Sequence, residues 1–119
     1  MLTIRESQMK AFEAHRTADF TRRLHRRLSG LMARAGIPFT DEALQDQLEL
    51  GVARGLRFFQ RENELARYCE IVLTELGGWT AADHPEPVLQ ILLPSAIEPG
   101  TKLRNFELWL SFQKGAIHG

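Results

Sequence analysis

Met9, Phe12, Phe20, Leu24, Leu28 and Leu31 fall three, four or eight residues apart, a spacing that aligns them along one face of a helix and no face of a strand. Ahead of them, Thr3-Ile4-Arg5-Glu6 forms a capping box. The Thr3 hydroxyl accepts from an orphan amide, and Glu6 reaches back to the Thr3 N–H. Gly36 supplies a left-handed stop and Pro38 a breaker. The pattern predicts one helix from about residue 4 to about residue 35, some 45 Å long. Gly30 inside it costs about 1 kcal/mol relative to alanine and marks a bend or an early end.

Helical spacing persists through the rest of the chain. A second helix opens at Thr40, with Asp41 and Glu42 where the positive end of the helix dipole favours acids. Its apolar stripe is Leu44, Leu48, Val52, Leu56 and Phe59. Gly51 and Gly55 lie beside that stripe, four apart, as a packing device that admits another backbone. Past the polar Gln60-Arg61-Glu62-Asn63, a third helix carries Leu65, Tyr68, Cys69, Val72 and Leu76 and stops at Gly77-Gly78. Prolines 85, 87, 94 and 99 leave room for only a short fourth helix, with Pro87 in its first turn and Val88, Leu89, Ile91 and Leu92 as apolar cover. Glu98-Pro99-Gly100 reads as a turn. A last helix over about Thr101 to Lys114 then buries Leu103, Phe106 and Leu110. No segment alternates apolar and polar residues long enough to form a strand. The expected fold is an all-α, single-domain bundle of four to five helices over residues 1–114, followed by a disordered tail at 115–119.

Length and composition agree with one core. A chain of 119 residues buries about two thirds of its unfolded surface, enough for one domain and too little for two. It is 44% hydrophobic and 25% charged, too apolar for a disordered chain. No run approaches the roughly 18 apolar residues of a membrane span, and Met1 to Glu6 does not read as a secretion signal. The single cysteine, Cys69, excludes an intrachain disulfide and fits a reducing compartment. These features predict a cytoplasmic protein.

Charge is unevenly placed. The chain has 15 Lys+Arg and 15 Asp+Glu, yet residues 1–36 carry eight bases against three acids while residues 37–78 carry four against eight. At 100° per residue, Arg16, Arg23, Arg27 and Arg34 fall within about 40° of one another beside the apolar stripe of the first helix. Two readings stand. The arginines lay their stems over the core edge and pair with acids such as Asp46, Glu49, Glu64 or Glu70, or they present a patch to an anionic partner. Nucleic acid is disfavoured as that partner, because the basic surplus is cancelled elsewhere and no nucleic-acid-binding fingerprint is present.

The residue types of catalysis do not assemble. His15, His25, His84 and His118 are scattered, and Cys69 has no Cys or His within a turn, so no metal or cofactor site is expected. Cys69 on the apolar stripe reads as a packed hydrophobe, His15 with Asp19 as a surface pair, and Asp83-His84 before Pro85 as loop residues that line a pocket at most. No phosphate-cradling glycine loop or nucleophile elbow occurs, and no enzymatic activity is expected. Leu108, Trp109 and Phe112 are left over from the core face of the last helix. Together with Trp79, such residues either wrap the core or form an exposed apolar patch, with Trp79, Trp109 and Phe112 as anchors for a partner or for a second copy of the chain.

Several stretches together resemble a family of small helical bacterial proteins encoded near type VI secretion effector and spike genes. They are Ile4-Arg5-Glu6-Ser7-Gln8-Met9-Lys10-Ala11-Phe12, the run from Phe20 to His25-Arg26-Arg27-Leu28, and Gly51-Val52-Ala53-Arg54-Gly55 followed by Glu64 and Arg67-Tyr68. Leu76 through Trp79 to Ile91-Leu92 is similar more loosely. The resemblance implies an accessory role in that setting and carries over no catalytic residue. Joined to the surface reading, it suggests an adaptor or chaperone for a secreted effector or spike component. Arg16, Arg23, Arg27 and Arg34 would supply charge complementarity, and Trp79, Trp109 and Phe112 the apolar contact. An immunity protein that neutralises a toxin, or a small nucleic-acid-binding regulator, are the alternatives.

Overall fold

The long N-terminal pattern folds as one helix, α1 (Ile4–Ala35). The structure is a computed structural model that describes residues 4–118, with side chains for residues 16–113. The capping box at Thr3 and the side chains of Met9, Phe12 and His15 lie outside the described residues. Within α1 the buried row is Phe20, Leu24, Leu28 and Met32, with Leu31 only half-buried. A strict four-residue row is inclined to the helix axis, so the buried face drifts until Met32 takes the place expected of Leu31. Gly30 neither ends nor interrupts the helix. Gly36, at φ +73°, stops it, and the Ile37 N–H returns to the Met32 carbonyl at 2.9 Å.

Thr40 caps α2 (Asp41–Gly55) as its sequence suggests: the Ala43 N–H donates to Thr40 Oγ1 at 3.1 Å. The chain divides into two units, residues 1–48 and 49–119, and the division falls inside α2. In the first unit, Leu44 and Leu48 are buried along with the α1 row. His25 Nε2 lies 3.3 Å from the Asp41 carbonyl.

The second unit holds the end of α2, then α3 (Glu62–Glu75), α4 (Glu86–Leu92) and α5 (Pro99–His118). The apolar stripe of α2 breaks at Gly55. Leu56 is exposed in the following turn, and Phe59 reaches the core only beyond it, with its N–H on the Gly55 carbonyl. Buried residues on α3 extend past the expected stripe to Ala66, Ile71 and Leu73, while Leu76 is exposed at its end. α5 packs against both α3 and α4, and Arg67 of α3 pairs with Glu107 of α5. Pro99 and Gly100 open α5 instead of forming a separate turn, because proline needs no N–H at the first helical position. The helix continues past Lys114 to His118, where a disordered tail was expected. The fold is all-α: five helices, with no strand among the described residues. No helix among them is long and apolar enough to cross a membrane.

Gly51 and Gly55 are a packing device, but they admit side chains and not a backbone. A Cβ on Gly51 would lie 2.3 Å from Trp79 Cη2, and one on Gly55 would lie 2.3 Å from Leu65 Cδ1. The Trp79 ring is part of the close-packed interior and has no room to retreat, whereas nothing approaches Gly30 within 4 Å. Gly51→Ala is expected to lower stability in urea unfolding by about 1–3 kcal/mol through overpacking. Gly30→Ala is expected to raise it by about 1 kcal/mol through helix propensity alone.

Candidate functional site

A glycine pair turns the chain back on itself after α3. Gly77 and Gly78 both adopt positive φ, +77° and +110°, and the Gly78 N–H bonds to the Val72 carbonyl at 3.1 Å. That reversal returns Trp79 to the notch at Gly51. The indole N–H then donates to the Tyr68 hydroxyl at 3.0 Å, and that hydroxyl lies 2.6 Å from His84 Nε2. Indole nitrogen is a donor only, so the Tyr68 oxygen accepts from it and keeps its own proton available for His84 Nε2. The His84 tautomer with its proton on Nδ1 accepts the hydroxyl's hydrogen bond at Nε2.

Aromatic rings enclose the hydroxyl. Phe58, Phe59, Trp79, His84 and Phe106 all have ring centroids 5.7 to 6.3 Å from that of Tyr68, several of them edge-on. Outside this shell, Arg57 sits over Phe58 at 5.0 Å and pairs with Asp83 at 3.2 Å. Arg54 donates to the carbonyls of Ala81 and Ala82 at 3.3 and 3.2 Å. Two arginines of the α2 end thus clasp the loop that carries His84. Asp83 also accepts from the His84 backbone N–H at 2.8 Å.

The electrostatics follow from this packing. Burial pushes the Tyr68 phenol up to about 12, against the pull of the Trp79 N–H. The Cys69 thiol is likewise pushed to about 12 by burial, which makes it a packed hydrophobe and no nucleophile. His84 is held below its ordinary value chiefly by burial; Asp83 opposes this, and Arg54 and Arg57 reinforce it. The His84 backbone N–H, followed by Arg57, keeps the Asp83 carboxyl below its usual range. Tyr68 is fully buried and cannot touch a substrate. The network latches the loop of residues 77–85 onto α3. Among the described residues, no group of three or more His, Cys, Asp or Glu side chains is placed to hold a metal ion.

The proposed surface residues fare unequally. Trp79 is only 5% exposed, so it belongs to the core and is no partner anchor; its N–H is consumed by Tyr68. Trp109 is half-buried, and Phe112 stands 74% exposed with Leu108 at 51%. On α1, Arg23 pairs with Asp19 at 3.3 Å and lies over Phe20 at 5.9 Å. Arg16 and Arg27 are also engaged by neighbouring groups. Arg34 is exposed in the last turn of α1, where a cation suits the dipole. Glu70, one of the suggested partners for these arginines, pairs with Arg67 at 3.3 Å. Nothing in the spacing of the sequence joins Tyr68 to His84. The available signal was a tyrosine on a buried stripe, whose hydroxyl must find a partner. The chain matches no family model, no curated protein and no solved structure.

Because folding lowers the affinity of His84 for a proton, its contribution to stability is intact above the unfolded value of about 6.5. It is lost as pH falls through the lowered folded value. The melting temperature is expected to drop as pH falls below about 6.5, and His84→Gln, which still offers an acceptor to Tyr68, is expected to remove that step. Tyr68→Phe removes the hydroxyl that bonds both Trp79 and His84 and is expected to cost about 1–3 kcal/mol in chemical denaturation.

Proposed function

We propose that this chain is a non-catalytic binding protein that holds another polypeptide against exposed apolar side chains of α5. The observation that carries the reading is Phe112, 74% exposed, with Leu108 one turn before it also out of the core. Phe106 and Leu110 already provide the buried face of that helix, so the second pair is surplus to folding. An exposed aromatic with an aliphatic neighbour is the surface that a partner desolvates with gain. The arginines of α1 (Arg16, Arg23, Arg27 and Arg34) contribute to the rate and orientation of encounter with an acidic partner. Trp79 plays no part in contact.

The resemblance to proteins encoded beside type VI secretion genes makes a secreted effector or spike component the partner of choice, and a cytoplasmic adaptor or chaperone the role. Co-expression with such a protein and capture through a tag on this chain tests the reading. Phe112→Ser combined with Leu108→Ser is expected to abolish capture with an unchanged melting temperature, since neither side chain is in the core. Reversing Arg23 and Arg27 to Glu is expected to weaken capture less and mainly to slow association. Undiminished capture by the double serine variant would overturn the assignment of α5.

A further inference from the structure

Lys102 occupies a core position. It lies one turn before Phe106 and two before Leu110, the buried row of α5, and it is itself only 4% exposed. A lysine is almost never so buried without a counter-charge. Here no other side chain forms an ion pair or hydrogen bond with it. Yet no fully enclosed side-chain nitrogen or oxygen among the described residues lacks a partner. The ammonium therefore escapes enclosure through the sliver of Lys102 that remains accessible. Its stem runs through the core and its head opens into a groove.

That groove is formed by the turn after α2, the start of α3, the segment joining α4 to α5, and the first turn of α5. Leu56, Leu93 and Ile97 wall it with exposed apolar surface. Arg57 and Arg61 also line it, against one acid, Glu64. Arg57 is already shared with Asp83, which leaves Lys102 and Arg61 as the groove's cations without a carboxylate partner among the described residues. The combination selects an occupant. Apolar walls disfavour nucleic acid, whose backbone is tracked by stripes of exposed cations. Glu64 inside the groove disfavours a doubly charged phosphate. A single carboxylate beside apolar side chains matches both the walls and the lone ammonium, through a charge-assisted hydrogen bond.

We propose that this groove docks a segment of a partner polypeptide in which one Asp or Glu is flanked by apolar residues, with its carboxylate on the Lys102 ammonium. The proposal rests on the reading of the chain as a polypeptide-binding protein and names a second contact for it, apart from Phe112.

The test is an NMR titration of the full, methyl-labelled chain with the blocked tripeptide Ac-Leu-Glu-Leu-NH2 and its Gln counterpart. The Glu peptide is expected to shift the methyls of Leu56, Leu93 and Ile97 and to bind about tenfold more tightly than the Gln peptide. Lys102→Met, which fills the same stem with apolar atoms, is expected to erase that preference, and Lys102→Arg to retain it. Equal binding of the two peptides, a preference that survives Lys102→Met, or no response at the groove overturns the proposal. Inorganic phosphate moving these methyls more than the Glu peptide does so as well. A flat titration beside capture that still depends on Phe112 rejects the groove alone. Loss of both rejects the binding role itself.

Discussion

The seating of Trp79 over Gly51, with its N–H on the Tyr68 hydroxyl, organises the second unit. It closes the loop after α3 onto the end of α2. It also gives the buried phenol the donor that frees its own proton for His84. Remove the indole and three groups lose their places together: a glycine notch stands empty, a hydroxyl loses a bond, and the loop loses its weight. Hydrogen bonds in such a chain depend on one another more than on their individual lengths. Arg54 and Arg57 act on the same loop from outside, but as exposed contacts they add little stability.

The helices were legible because their signals are local. The Thr40 cap, the Gly36 stop, the Gly77-Gly78 stop and Pro87 in a first turn each act within a few residues, and each appears in the structure. The errors share a cause. Leu56 keeps the spacing of the α2 stripe, but the helix ends at Gly55, where Leu65 and Tyr68 approach. Pro99 and Gly100 suit a turn and a helix start equally well by local chemistry, and only their setting decides between them. Trp79 looked surplus because its cavity is made by a glycine 28 residues earlier, and an absent side chain leaves no mark on a pattern of apolar spacing.

The site was less legible than the fold for the same reason. Phe112 stands out in sequence as an aromatic off the buried row of its helix, and it is exposed. Lys102 does the reverse. As a polar residue it drops out of any apolar stripe, so its place on the Phe106 row goes unseen until its burial is known. The α1 arginines share a face by helix geometry alone, but their engagement with Asp19, Phe20 and other neighbours depends on which rotamers packing allows.

The chain's one thiol has a practical consequence. Cys69 is sealed in the middle of α3 and hardly ionises below strongly alkaline conditions. Alkylating reagents and peroxide attack the thiolate at an accessible sulfur, so in the folded protein this thiol is silent towards both. A dye or spin label joined to a cysteine introduced on any surface helix will report from that position alone, with no need to remove the native residue and disturb the interior around it.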